Sequence, residues 1–118
     1  MKITNTVESK IYLGLRKEYS ETYQDIRELY DFISRYCTKN KIGITVTPTR
    51  YFYVNGAEDG VILGLINYPR FPSTYEQIKE ISINLGNLLI ERFDQYRATI
   101  IINSLNNSDT IMLENNNI

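Results

Sequence analysis

The stretch GITVTPTRYFYVNGAEDGVILGLIN, residues 43–67, decides the fold. Its first part, through Asn55, is dense in β-branched and aromatic residues, which pack well on a pleated sheet, and it reads as one long strand. Pro48 interrupts it. Proline cannot donate to a ladder, so this strand lies at a sheet edge or bulges there. Asn55, Gly56, Ala57, Glu58, Asp59 and Gly60 carry turn chemistry. Residues 61–67 (VILGLIN) are apolar on both faces, the pattern of a deeply buried strand. Two strands joined by a turn make a hairpin.

A helix is expected on each side of this hairpin. Over residues 22–39, Ile26, Leu29, Tyr30, Ile33, Tyr36 and Cys37 follow i, i+3, i+4 spacing and form one apolar stripe. Thr22 is the expected N-cap and Gly43 the stop. Over residues 73–93 the stripe is Ile78, Ile81, Leu85, Leu88 or Leu89, and Phe93, with Ser73 and Glu76 as a capping box. Alternation in residues 10–16 (KIYLGLR) puts Ile11, Leu13 and Leu15 on one side of a first strand. Residues 97–103 (RATIIIN) and 110–114 (TIMLE) read as a closing hairpin. The order is β-α-β-β-α-β-β: an α+β domain, two helices on a mainly antiparallel sheet, a ferredoxin-like variant. The domain is expected over residues 10–114, with residues 1–9 and 115–118 as flexible ends. A second subunit is expected to cover the free sheet face, which would also use the ten tyrosines.

The chain has 118 residues, enough for one domain, with 13 basic and 14 acidic residues and a net charge of -1. That balance excludes nucleic-acid binding by bulk electrostatics. No basic amphipathic helix and no apolar run of the ~20 residues needed to span a bilayer is present, so no membrane partner is expected. One cysteine and no histidine remove disulfides, the usual zinc sites and the commonest general base. The expected compartment is the cytoplasm, with no metal and no cofactor. For an enzyme, the raw material is Glu58, Asp59, Glu114 and the tyrosines; Glu58 and Asp59 read as a solvated turn. The expectation is therefore a non-enzymatic binder of a small nucleotide-type ligand, with a protein-interaction module as the alternative.

Three places carry candidate ligand-binding residues. Asn67, Tyr68, Arg70, Phe71 and Ser73 lie in a proline-stiffened loop leading into a capped helix. The free N–H groups of a helix start suit phosphate, Arg70 offers a bidentate contact and Phe71 or Tyr68 a stacking surface. Arg50 stands within an aromatic strand, where a guanidinium stacks or binds an anion. Arg97 and Asp109 open the last two strands, and pairing of those strands puts them at opposite ends.

The run INYPRFPS, residues 66–73, together with the size and element order over residues 10–114, resembles the Thoeris anti-defence sponge proteins of phages. The resemblance implies an oligomer that holds a cyclic ADP-ribose-type signal without cleaving it, in a pocket between subunits. It implies Phe71 against the base and Arg50, Arg70 and Arg97 as phosphate partners. Abundant Asn, Ile, Tyr and Lys and the absence of Trp fit the AT-rich coding of low-GC hosts and their phages.

Overall fold

The computed structural model describes residues 1–17 and 22–116. Tyr19 and the last two tail residues, 117 and 118, lie outside the described residues.

Strand β1 (Val7–Gly14) lies at the centre of a five-stranded sheet of order β2-β3-β1-β4-β5, paired antiparallel throughout. The other strands are β2 (Thr45–Tyr53), β3 (Gly56–Ile66), β4 (Arg97–Ser104) and β5 (Ser108–Glu114). Helix α1 (Ile26–Asn40) joins β1 to β2, and α2 (Tyr75–Arg92) joins β3 to β4. The first connection passes over β3 and the second over β1, the split βαβ arrangement read from the element order. The fold is α+β, as the patterning indicates.

The alternation of apolar residues explains which face the helices cover. Val7, Ile11 and Leu13 of β1, Val61, Leu63 and Leu65 of β3, and Ala98, Ile100 and Ile102 of β4 are all buried. Opposite them are Leu29 and Ile33 of α1 and Ile78, Leu85, Leu89 and Ile90 of α2. Phe93, just past α2, is fully buried and meets the Phe32 ring edge-on at 5.9 Å. One polar pair sits in this core: the Ser82 hydroxyl of α2 lies 2.7 Å from the Ser9 hydroxyl of β1. Gly86 lets α2 approach the sheet, because a Cβ there would come within 2.5 Å of Leu113.

Pro48 sits on the edge strand β2 and pairs with Val61 without breaking the ladder, since an edge strand can leave one side undonated. Several boundaries shift from those expected. The turn of the hairpin is Val54 and Asn55 alone, Asn55 taking φ 58° in the left-handed region. Strand β3 therefore starts at Gly56 and takes in Glu58 and Asp59. Their pairing with Tyr51 and Arg50 of β2 outweighs the local turn propensity of those residues, and the Asp59 carbonyl also accepts from the Leu15 N–H at 3.1 Å. The N-cap of α1 is Asp25, whose carboxylate accepts from the Arg27 N–H, and not Thr22. Lys41, at φ 55°, makes the left-handed C-cap expected of Gly43. The capping box of α2 is formed by Thr74 and Gln77, one residue beyond Ser73 and Glu76, which carry the same chemistry. Val61–Ile66 is buried on one side only: Ile66 is 49 % exposed on the face the helices do not cover.

Candidate functional site

Two of the clefts among the described residues lie at opposite ends of the sheet. The first, of about 390 Å3, is lined by Gly14, Arg16, Tyr53, Glu58, Gln95, Tyr96 and Arg97. The register gathers these residues. Gly14 ends β1 and pairs with Gly60, Glu58 stands two residues before Gly60, Tyr53 ends β2, and Arg97 opens β4.

Glycine shapes the floor. A Cβ on Gly14 would fall 2.8 Å from Glu58 Oε2, so the carboxylate lies across bare backbone. A Cβ on Gly60 would collide with the Tyr51 ring and with the Leu13 carbonyl. Tyr51 donates to the Val61 carbonyl at 2.6 Å, and burial pushes its phenol up to about 12. Arg16 is fixed from several sides. It donates to Tyr53 Oη at 3.3 Å and to the Ala57 carbonyl, and its guanidinium lies 5.9 Å from the Tyr23 ring centre. The Tyr23 contact is the leading reason that its pKa rises. The Gln95 amide donates to the Arg16 carbonyl and to the Phe93 carbonyl, each at 2.8 Å, which ties the β4 entrance to the end of β1. Among the described residues neither Glu58 nor Arg97 makes an ion pair. The Glu58 carboxylate, whose charge also helps raise the Arg16 pKa, and the Arg97 guanidinium thus line one space beside two tyrosines. Groups of this kind are chemically suited to a ligand that carries both charges.

The second cleft, of about 540 Å3, gathers Tyr68, Arg70, Phe71 and Ser73 from the proline loop. Asn67 is buried behind them: its side-chain oxygen accepts from the Ser73 N–H at 2.7 Å, and its amide donates to the Asn5 carbonyl at 2.7 Å. Phe71 is 71 % exposed, so it is not a core plug, and Arg70 lies 5.2 Å from its ring centre.

The remaining candidates are dispersed. Arg50 pairs with Asp59 at 2.6 Å across the β2–β3 ladder. Asp109 pairs in register with Ile102 while Arg97 pairs with Glu114, so Arg97 and Asp109 stand at opposite ends of β4–β5. Asp109 accepts from Tyr75 Oη at 2.6 Å and from Lys79 Nζ at 3.3 Å, a clasp between β5 and α2. Of the expected ligand residues, Arg97 alone reaches the charged cleft. Glu58, Arg16, Tyr53, Gln95 and Tyr96 were not expected there. Glu58 was legible as a carboxylate within a strand-rich hairpin, but its turn-like neighbours argued for a solvated loop.

The clasp has a pH signature. Tyr75 is pushed up to about 12, first by burial and then by the hydrogen bond to Asp109, whose own carboxyl is held below the usual range by Tyr75 and then Lys79. The Tyr75 contribution is complete below its ordinary value of 10.0 and lost as pH rises through about 12. The Asp109 contribution is complete above 3.8 and lost as pH falls through the lowered folded value. Urea unfolding of Tyr75→Phe is expected to show a shallower loss of stability on the alkaline side than the parent. Asp109→Asn is expected to show a shallower loss on the acid side. Parallel curves for parent and variants would exclude the clasp as the source.

No protein-family model and no curated protein matches the chain. Two solved structures share its fold. A phage SAM lyase in complex with S-methyl-5'-thioadenosine superposes with a TM-score of 0.73 at 17% identity, covering 98% of this chain and 94% of that one. A phage SAM lyase in the apo state superposes with a TM-score of 0.70 at 18% identity, covering 93% and 90%.

These matches correct the functional expectation. The likeness to Thoeris sponge proteins rested on residues 66–73, a surface loop closed by a single Tyr68–Phe71 bridge. A loop of that kind does not determine a fold, and the fold over the whole length is one shared with two phage SAM lyase structures. The whole-length structural matches, which are to an enzyme, overturn non-enzymatic sequestration of a cyclic ADP-ribose-like signal and with it an anti-defence role. The absence of histidine excludes less than a whole class of enzymes. It removes imidazole acid–base chemistry, not reactions that proceed without a general base.

Proposed function

We propose that this chain is an enzyme that breaks S-adenosylmethionine and releases S-methyl-5'-thioadenosine. The observation that carries the reading is the end-to-end likeness in fold to a SAM lyase seen with that thioether. The charged cleft supplies groups suited to the substrate. S-adenosylmethionine bears a sulfonium and an ammonium cation beside one carboxylate. Glu58 meets the cationic side, the Tyr53 and Tyr96 rings suit a sulfonium by cation–π attraction, and Arg97 with Arg16 addresses the carboxylate.

Releasing the thioether breaks the bond between sulphur and Cγ of the methionyl chain, and the electron pair stays on sulphur, which becomes neutral. A lyase admits no water, so Cγ is satisfied from within the molecule: a carboxylate oxygen closes on Cγ and forms a five-membered lactone. Atoms and charge balance, and no proton moves in that step. The absence of histidine is compatible with it. The work left to the protein is to hold the carboxylate opposite the leaving sulphur, where proximity and orientation supply the rate. Glu58 and Arg97, at two sides of the Gly14 floor, suit that folding of the substrate.

Calorimetric titration with S-methyl-5'-thioadenosine tests the reading and the choice of cleft. The thioether has no charge, so Glu58→Gln is expected to bind it as the parent does while binding S-adenosylmethionine more weakly. Phe71→Ala, in the other cleft, is expected to leave both unchanged. Absence of any heat with the thioether, or its loss in Phe71→Ala, would contradict the assignment.

Self-association belongs to the same proposal. The sheet face away from the helices carries Tyr12, Ile62 and Ile101 partly exposed, with Ile66 and Met112 at 49% and 57% exposure. A second copy of the chain would cover it and close the charged cleft from above. Sedimentation analysis is expected to find an oligomer, and a monomer at all concentrations would exclude it.

A further inference from the structure

The second cleft is not used by the proposed reaction, yet it is built. Its floor is apolar: Leu65 and Ile78 are buried, with Ile42 and Ile81 packed beside them. The loop forming one wall is pinned at its root by Asn67 and closed by the Phe71 N–H donating to the Tyr68 carbonyl at 3.0 Å. Gly43 makes room for Tyr68. A Cβ there would lie 3.3 Å from the Tyr68 hydroxyl, and the residue's φ is not positive, so space and not backbone freedom accounts for the glycine. Cys37 stays a neutral thiol, its pKa raised by burial, and serves as apolar wall.

Charge decides what fits. The lining contains Lys41 and Arg70 and no acidic residue. Among the described residues neither cation makes an ion pair. Lys41 is held at the α1 terminus in the left-handed conformation, and Arg70 is stacked on Phe71 at the rim. We infer that this cleft binds a small amphipathic carboxylate, its apolar body against Leu65, Ile78 and Ile81 and its carboxylate between Lys41 and Arg70. A cationic amphiphile of the same body would meet two like charges and be rejected. A doubly charged polar anion would leave the apolar floor unused.

Displacement of the fluorescent anion 8-anilinonaphthalene-1-sulfonate tests this, with decanoate and decyltrimethylammonium as competitors. Decanoate is expected to displace the dye and the cation to leave it. In the double variant Lys41→Gln/Arg70→Gln, decanoate affinity is expected to fall by about tenfold or more, about 1.4 kcal/mol. The same variant should keep its unfolding midpoint and its S-adenosylmethionine turnover. Equal displacement by both amphiphiles, or unchanged decanoate affinity in the double variant, would overturn the inference. Displacement of the dye by S-methyl-5'-thioadenosine would also overturn it, and would reassign this cleft to the substrate.

Discussion

Glu58→Gln is expected to lower the release of S-methyl-5'-thioadenosine from S-adenosylmethionine by about 10²- to 10³-fold, the usual cost of removing one preorganised electrostatic partner. The substitution keeps the shape that lies over Gly14 and removes the charge. Glu58 makes no ion pair among the described residues, so stability should hold while turnover falls. Steady-state assay by mass detection of the thioether, with thermal unfolding alongside, separates the two quantities. Parent-like turnover in a folded variant would remove Glu58 from the mechanism.

The largest effect on stability is expected at Phe93. Its side chain is fully buried, meets Phe32 edge-on at an interplanar angle of 81°, and closes the core where α2 hands over to β4. Phe93→Ala is expected to cost about 3–5 kcal/mol, the range for deleting a buried aromatic side chain. Because a domain of this size has a total stability of about 5–15 kcal/mol, much of the molecule's margin would go. Urea unfolding measures it directly. A loss below about 1 kcal/mol would mean that the site collapses without a cavity.

The fold was legible because its signals are periodic. Alternation placed Ile11 and Leu13 on one side of a strand, and the i, i+4 series Ile81, Leu85 and Leu89 marked a helix; both patterns survive packing because both bury one face. Boundaries slipped where two adjacent residues offer the same chemistry, as with Ser73 and Thr74, or where a ladder overrides a turn, as at Glu58. The charged cleft was not legible. Gly14, Arg16, Tyr53, Glu58, Gln95, Tyr96 and Arg97 come from four separate stretches and converge only through the registers of β1 with β3 and β4 and of β2 with β3. The Ser9–Ser82 contact was hidden for the same reason, its partners standing 73 residues apart. The loop of residues 66–73 drew attention because its residues are adjacent in sequence, and adjacency is what a reader of sequence sees first.

The most direct test of the account is incubation of the purified protein with S-adenosylmethionine in water enriched in oxygen-18, followed by mass analysis. The account predicts S-methyl-5'-thioadenosine in equal amount with a four-carbon lactone that carries no heavy oxygen when first formed. Intact S-adenosylmethionine after prolonged incubation with folded protein would contradict it.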